Sequence, residues 1–222
     1  MIGDNVRQLK FANKSFQAKR AERMSNILSG EEPIRIDAVS VTVNGPEYGW
    51  LDISFKTEGY RPLLIMASDV YPPFLLLRDW LKDMLNFTAV PNKSFILDCE
   101  GYNAIFSYDF LGHIKKSGIN EPVALVMIED DIEGEEQCGD YETLLQLIVP
   151  IRTFVATVYY TLRNHIVENR LVYRREWELP GGVDFNIHKL LRSFVSKEIE
   201  ELLEAMNSHP EDLGHWPLIQ IN

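Results

Sequence analysis

The stretch Tyr141–Glu168, "YETLLQLIVPIRTFVATVYYTLRNHIVE", decides how the second half of the chain is built. Leu144, Ile148, Ile151, Val155, Val158, Leu162 and Ile166 recur at steps of three and four, the stripe of an amphipathic helix. This spacing predicts one long helix opening after Asp140, a good N-cap, with Glu142 near the positive end of its dipole. Pro150 then falls inside the helix and predicts a kink. As a membrane span the stretch fails. Arg152 would sit near the bilayer centre at roughly +2.5–3.5 kcal/mol, and Gln146 and Pro150 add to the cost.

Working outward, the chain before this helix is strand language. "IRIDAVSVTV" (Ile34–Val43) is β-branched, "NGPEYG" makes a turn, and "WLDISFKT" alternates with Leu51, Ile53 and Phe55 on one side. "RPLLIMAS" (Arg61–Ser68) is a continuous apolar run, which predicts a strand buried on both faces. The period then changes: Phe74, Leu77, Leu81 and Met84, flanked by Trp80 and Leu85, form a helical stripe after Pro72 and Pro73. "KSFILDCEGYNAIFSYDF" reads as a hairpin around Glu100 and Gly101, and "EPVALVMIE" (Glu121–Glu129) as a sixth strand. After the long helix, "EWELPGGVDFN" reads as a loop, and Ile187 to Met206 as a second long helix with a clean apolar stripe.

The expected fold is therefore α+β. It has a mostly antiparallel sheet of about six strands in a βββα-βββα order, with two long C-terminal helices packed on it. Residues 1–30 form a basic, helical N-terminal arm and residues 31–222 a single domain. "PFLLLRDWL", the "LDCEG" turn and "IRTFVATVYYTL" together resemble uncharacterised bacterial α+β proteins, in which a P-F-x-x-L-x-x-W-L helix precedes such a hairpin and helix. The likeness covers about residues 50–168. It implies a bacterial origin and an α+β fold, and it carries no active site.

Charge bounds the function. Residues 1–28 hold six basic side chains against two acidic ones, leaving −15 on the remainder of a chain whose formal net charge is −11. A body that acidic argues against nucleic acid, whose binders neutralise phosphates, and suits docking onto a basic protein. The two cysteines, Cys99 and Cys138, provide no disulfide framework and fit a reducing, cytoplasmic setting.

The acid is concentrated in "IEDDIEGEEQCGDYE", Ile128–Glu142. Placing Glu129 at position 1 of a calcium loop puts Asp131 at 3, Glu133 at 5, Gly134 at 6 and Asp140 at 12. Position 12 normally needs the longer, bidentate Glu, and the preceding segment reads as strand rather than helix. Two other uses of the run remain open. It is either a solvated connection or a docking surface carried by Asp130, Asp131, Glu133, Glu135 and Glu136.

Other chemistry is sparse. The histidines (His113, His165, His188, His209, His215) show no metal-ligand spacing, and His165 and His188 read as surface or capping residues on helices. Cys99 lies between Asp98 and Glu100, whose charges oppose a reactive thiolate. The Gly-Gly loop of "LPGGVDF" reads as a flexible connection. Arg163, Arg170, Arg174 and Arg175 form a basic cluster diluted by Glu168, Glu176 and Glu178.

The residues thus point to a non-enzymatic, cytoplasmic binding protein without cofactor, of the immunity or accessory kind, that docks a basic protein partner away from any membrane. Two further readings stand beside it. One is a metal-dependent hydrolase using Asp98, Glu100, Asp109 or the acidic loop. The other is a homo-oligomer, or a subunit of a larger complex, assembled through the basic arm.

Overall fold

A computed structural model describes residues 22, 24–27, 29, 34–68, 73–86, 94–99, 102–116, 119–131, 141–177, 189, 192 and 194–208. The fold is α+β with two antiparallel sheets rather than one. Strands β1 (Val39–Glu47), β2 (Trp50–Thr57) and β3 (Leu63–Ser68) form the first, in that order. Helix α1 (Phe74–Leu85) follows. Then β4 (Ser94–Asp98), β5 (Asn103–Lys116), β6 (Ile119–Asp131) and β7 (Tyr141–Pro150) make a four-stranded meander. Helices α2 (Ile151–Glu168), α3 (Arg170–Trp177) and α4 (Lys197–Ser208) complete the described elements. The expected hairpin at Glu100–Gly101 is the β4–β5 connection, with Cys99 N–H donating to the Tyr102 carbonyl at 3.0 Å.

The largest departure from expectation is Tyr141–Pro150, which is a strand and not the first third of a long helix. Its register pairs Leu145, Leu147 and Val149 with Ile128, Val126 and Ala124, and all six are buried. Those positions alternate, so the same apolar run satisfies a period of two as well as one of 3.6. Partnership with β6 decides between them. Pro150 does not kink a helix but begins one: at φ −65° and ψ 120° it is still extended, and Ile151 is the first helical residue. The missing N–H of proline costs little at a helix start. Asp140, expected as the helix cap, therefore stands before a strand and lies outside the described residues.

The expected second long helix is interrupted: Lys189, Arg192 and Phe194 are helical, but Val195 and Ser196 are not. Among the described residues α4 starts at Lys197, after non-helical Val195 and Ser196. Ser196 Oγ accepts from Ile199 N–H at 3.3 Å and caps the helix, with Glu198 and Glu200 in its first turn. The supposed loop "EW" ends α3, where Trp177 is buried.

A large core fills the space between the two sheets and the helices. Leu51, Ile53, Phe55, Ile65 and Ala67 face it from the first sheet, and Ala104, Phe106, Tyr108, Ala124, Val126 and Ile128 from the second. The helix stripe read from the sequence holds: Phe74, Leu77, Trp80, Leu81, Met84 and Leu85 are all buried. Phe74 meets Tyr173, Trp177 and Phe194 at ring-centroid distances of 5.9, 5.7 and 5.7 Å.

A second, smaller core lies on the other face of the four-stranded sheet, where Leu111, Ile114, Val123, Leu125 and Met127 pack with Met24, Ile27, Ile34 and Ile36. Met24 and Ile27 belong to the expected arm, and residues 1–21 lie outside the described residues. The ladder shifts register between Phe110 and Gly112. One inserted residue reverses which side chains face which core, so Ile114 joins the small core that Tyr108 faces away from.

"IRIDAVSVTV" is accordingly not one strand. Asp37 clamps the edge of β7, its N–H donating to the Ile148 carbonyl and its carboxylate accepting from Ile148 N–H, both at 2.8 Å. The chain then crosses to the first sheet and pairs from Val39. β3 is an edge strand rather than a doubly buried one: Ile65 and Ala67 are buried, whereas Leu64 and Met66 are exposed.

Polar contacts lock the helices in place. Tyr159 Oη accepts from Ser196 N–H at 2.9 Å and donates to Glu200 Oε1 at 3.1 Å, and Glu200 also pairs with Arg163 at 3.2 Å. His165 is not a surface residue. Its Nε2 donates to the Gly45 carbonyl at 2.9 Å, and its Nδ1 faces Asn169 Nδ2 at 3.3 Å, a pattern that suits the neutral ring. Gly45 has φ +96°, and a Cβ there would approach the Trp50 carbonyl to 2.8 Å, so only glycine presents this acceptor.

Two predictions follow from these contacts. Phe74→Ala removes the ring on which three other rings converge and should cost about 3–5 kcal/mol in urea unfolding. Burial holds the His165 imidazole below its ordinary pKa of 6.5, despite the opposing effects of the Gly45 carbonyl and Glu168. The unfolded state therefore binds the proton first as pH falls, and the stability contributed by the neutral ring is lost below about pH 6.5. The loss between about pH 7.5 and about pH 5.5 should be smaller in His165→Gln than in the unsubstituted protein.

Candidate functional site

The four-stranded sheet gathers acidic positions at one end. Its terminal row runs Asp98, Asn103, Asp131, Tyr141 across β4, β5, β6 and β7. The next row runs Leu97, Ala104, Asp130, Glu142, and the third Ile96, Ile105, Glu129, Thr143. Side chains alternate between faces along a strand, so Asp98 and Asp130, in adjacent rows, stand on opposite faces. Strands about 4.8 Å apart put the Asp98 and Asp131 positions about 10 Å from each other, about one Debye length at 0.1 M salt. Between Glu129 and Glu142 the sequence holds eight carboxylates and no cation. Glu133, Glu135 and Glu136 lie outside the described residues, in the segment joining β6 to β7.

This geometry separates the uses considered for the acidic run. Glu129 and Asp131, first and third in the calcium alignment, both sit in the β6 ladder. Glu129 is only 5% exposed and its row is flanked on both sides by paired strands. A calcium loop needs its early ligands on a coiled backbone after a helix, and these two positions are extended. Glu133 and Asp140 lie outside the described residues. Among the described residues no group of three or more His, Cys, Asp or Glu side chains is placed to hold a metal ion.

Of the carboxylates considered for hydrolysis, Glu100 lies outside the described residues and Asp109 stands apart from Asp98. Asp109 pairs with Leu125, six residues along β5 from the Asn103 that faces Asp98. At about 3.3 Å per residue that is roughly 20 Å.

Cys99 and Tyr102 close the β4–β5 turn at this acidic end. Burial pushes the Cys99 thiol up from its ordinary value; a hydrogen bond from Tyr102 opposes the rise, and the charges of Asp98 and Asp130 add to it. Tyr102 is pushed up to about 12, first by burial and then by the neighbouring Cys99. Its hydroxyl receives Met66 N–H at 3.5 Å from the edge of β3, and so ties the two sheets together. Both groups stay protonated at neutral pH. The pair is a packed turn, not an activated nucleophile. Tyr102 and Asp98 were absent from the docking residues expected from sequence, and the signal for them was the hairpin register implied by "DCEGYN".

Elsewhere, His113 is buried on β5 opposite Pro122, distant in sequence and in register from the acidic rows. His188, His209, His215 and the Gly-Gly loop lie outside the described residues. Arg163, Arg170, Arg174 and Arg175 all fall on α2 and α3. No helix among the described residues is long and apolar enough to cross a membrane. Comparison of the chain with family models, with curated proteins and with solved structures found no match.

The thiol makes the site's chemistry testable. In a Cys138→Ser background, Cys99 should react with a disulfide reagent at least about tenfold more slowly than a free thiol at neutral pH, and reach the free-thiol rate in denaturant. Fast labelling of the folded protein would contradict the buried turn.

Proposed function

We propose that this is a bacterial, cytoplasmic, non-enzymatic binding protein, of the immunity or accessory kind, that docks a basic protein partner through the acidic end of its four-stranded sheet. One observation carries the reading: the strand register aligns Asp98, Asp130, Asp131 and Glu142 at the same end, where the acidic segment of residues 132–140 leaves and rejoins the sheet. Carboxylates held on paired strands lose less freedom on binding than those on a free chain, so more of their attraction reaches the complex. A concentrated negative field also speeds encounter with a basic surface and selects against acidic ones. The docking residues are Asp130, Asp131, Glu133, Glu135 and Glu136, with Asp98 added by the register.

The test compares the protein with a charge-reversed Glu133→Lys, Glu135→Lys, Glu136→Lys variant, each immobilised and exposed to lysate of the source cell. A basic protein should be retained by the first and lost from the second. It should elute at about 1 M salt, where the Debye length is about 3 Å. With the purified partner, the variant should bind at least about tenfold more weakly. Equal retention by both forms would remove the acidic end from the interface.

A further inference from the structure

Helices α2 and α3 meet at a single non-helical residue, Asn169, and the joint is built around His165. The Asn169 backbone N–H and its side-chain Nδ2 both donate to the His165 carbonyl, at 2.9 and 3.0 Å. The same Nδ2 faces the ring Nδ1 of His165 at 3.3 Å. The Asn169 carbonyl accepts from Val172 N–H at 2.9 Å and from Tyr173 N–H at 3.0 Å, and so starts α3. One side-chain amide therefore fastens the end of α2 to the start of α3.

The two helices also hold the β1–β2 turn. His165 Nε2 donates to the Gly45 carbonyl at 2.9 Å, and Glu176, one residue before the end of α3, accepts from Tyr48 N–H at 3.2 Å. Tyr48 stands at φ +51°, a left-handed conformation that an L side chain seldom adopts, and the residue is 84% exposed. A strained backbone persists only where surrounding contacts fix it, and the Glu176 carboxylate supplies one of them.

We infer that His165 is a proton-operated latch: a proton on its Nδ1 expels the Asn169 amide, unlatches α3 and releases the hold of that helix on the Tyr48 turn. In the neutral ring Nε2–H is spent on Gly45, which leaves Nδ1 as the acceptor for Asn169. Protonation turns Nδ1 into a donor aimed at an amide donor. Rotating the amide does not repair the contact, because Oδ1 would then face the His165 carbonyl that Nδ2 now serves. The bond from Nε2–H to Gly45 survives and strengthens with the charge, so the ring stays on β1 while the α3 side of the joint lets go.

The surrounding groups leave His165 as the one that titrates. Burial pushes the ring below its ordinary value and outweighs the Gly45 carbonyl of β1 and Glu168 of its own helix, both of which favour the charged form. The ring is therefore neutral at neutral pH and takes its proton in acid. From α3 the Tyr173 ring stands edge-on at 5.8 Å, and burial keeps its phenol protonated. Glu176 is held below the usual carboxylate range, first by the hydrogen bond from Arg175, and so keeps its charge while His165 titrates.

Amide hydrogen exchange of the full chain, followed by NMR and corrected for intrinsic rates, tests the latch. Between about pH 7.5 and about pH 5, Tyr48, Val172 and Tyr173 should lose at least about tenfold more protection than Val126 in the four-stranded sheet. Equal loss at Val126 would mark global unfolding and overturn the inference, as would unchanged protection at the other three. In His165→Gln, which cannot titrate, the excess loss should vanish. Asn169→Asp reverses the latch, since a carboxylate there accepts from the protonated Nδ1: the His165 pKa, read from its ring proton signals, should rise by at least about 1. An unmoved titration in Asn169→Asp would show that Nδ1 does not rest on this side chain, and would overturn the inference even where His165→Gln fails to fold.

Discussion

Trp80 stands edge-on to four rings, and the placement of the four-stranded sheet against the helices depends on it. Its centroid lies 5.7 Å from Phe95, 5.8 Å from Phe106, 6.0 Å from Tyr108 and 6.1 Å from Phe154. Three of these rings belong to β4 and β5 and the fourth to α2, so one side chain of α1 fixes the helix against the second sheet and its cover. Edge-to-face contact sets the positive rim of one ring against the negative face of another, which gives direction to a burial that would otherwise be non-directional. Phe74, six residues earlier on α1, does the same for α3 and Phe194. Phe55 meets Phe106 at 6.2 Å and joins the first sheet to the array. A twelve-residue helix about 18 Å long thus joins the second sheet to the helices that cover it.

That constraint explains which elements could be read from the sequence. α1 was legible because its polar face (Arg78, Asp79, Lys82, Asp83) breaks the apolar pattern at the helical period. The β1–β2 and β4–β5 hairpins were legible from alternation and turn residues. Tyr141–Pro150 was not, since an unbroken apolar run carries no period of its own: Leu144 and Ile148 serve a helix, Leu145, Leu147 and Val149 a strand. What settles it is the register with β6, a contact across the acidic segment. The division into two sheets was hidden for a similar reason. Asp37 uses its carboxylate as though it were backbone, ends the pairing with β7, and lets the chain change sheets within a stretch that looks uniformly β-branched.

The candidate site was legible as charge but not as shape. Its acids are plain in the sequence from Glu129 to Glu142, yet nothing in that segment indicates that Asp98 joins Asp131 at the end of the same sheet, because that depends on two strand registers. Glu129, which the sequence placed at the end of the sixth strand, is buried there. Side chains of a strand alternate: three consecutive acids in an extended chain cannot all point the same way. The alternation therefore divides the acidic run between the two faces of the sheet.

The turn that borders these acidic rows shows why its reactive residue types are structural. An edge strand leaves backbone N–H groups unpaired and open to another chain. On β3 the Met66 N–H meets the Tyr102 hydroxyl, and on β7 the Ile148 N–H meets Asp37, so each sheet has an edge donor covered by a side chain from elsewhere. For Tyr102 to serve as an acceptor there, its phenol must stay in place beside Cys99, and burial of both groups keeps them neutral. Ionising either would set a charge against Asp98 and Asp130 in a poorly hydrated turn. Burial first, and the charges of Asp98 and Asp130 after it, thus hold the thiol of this turn chemically quiet.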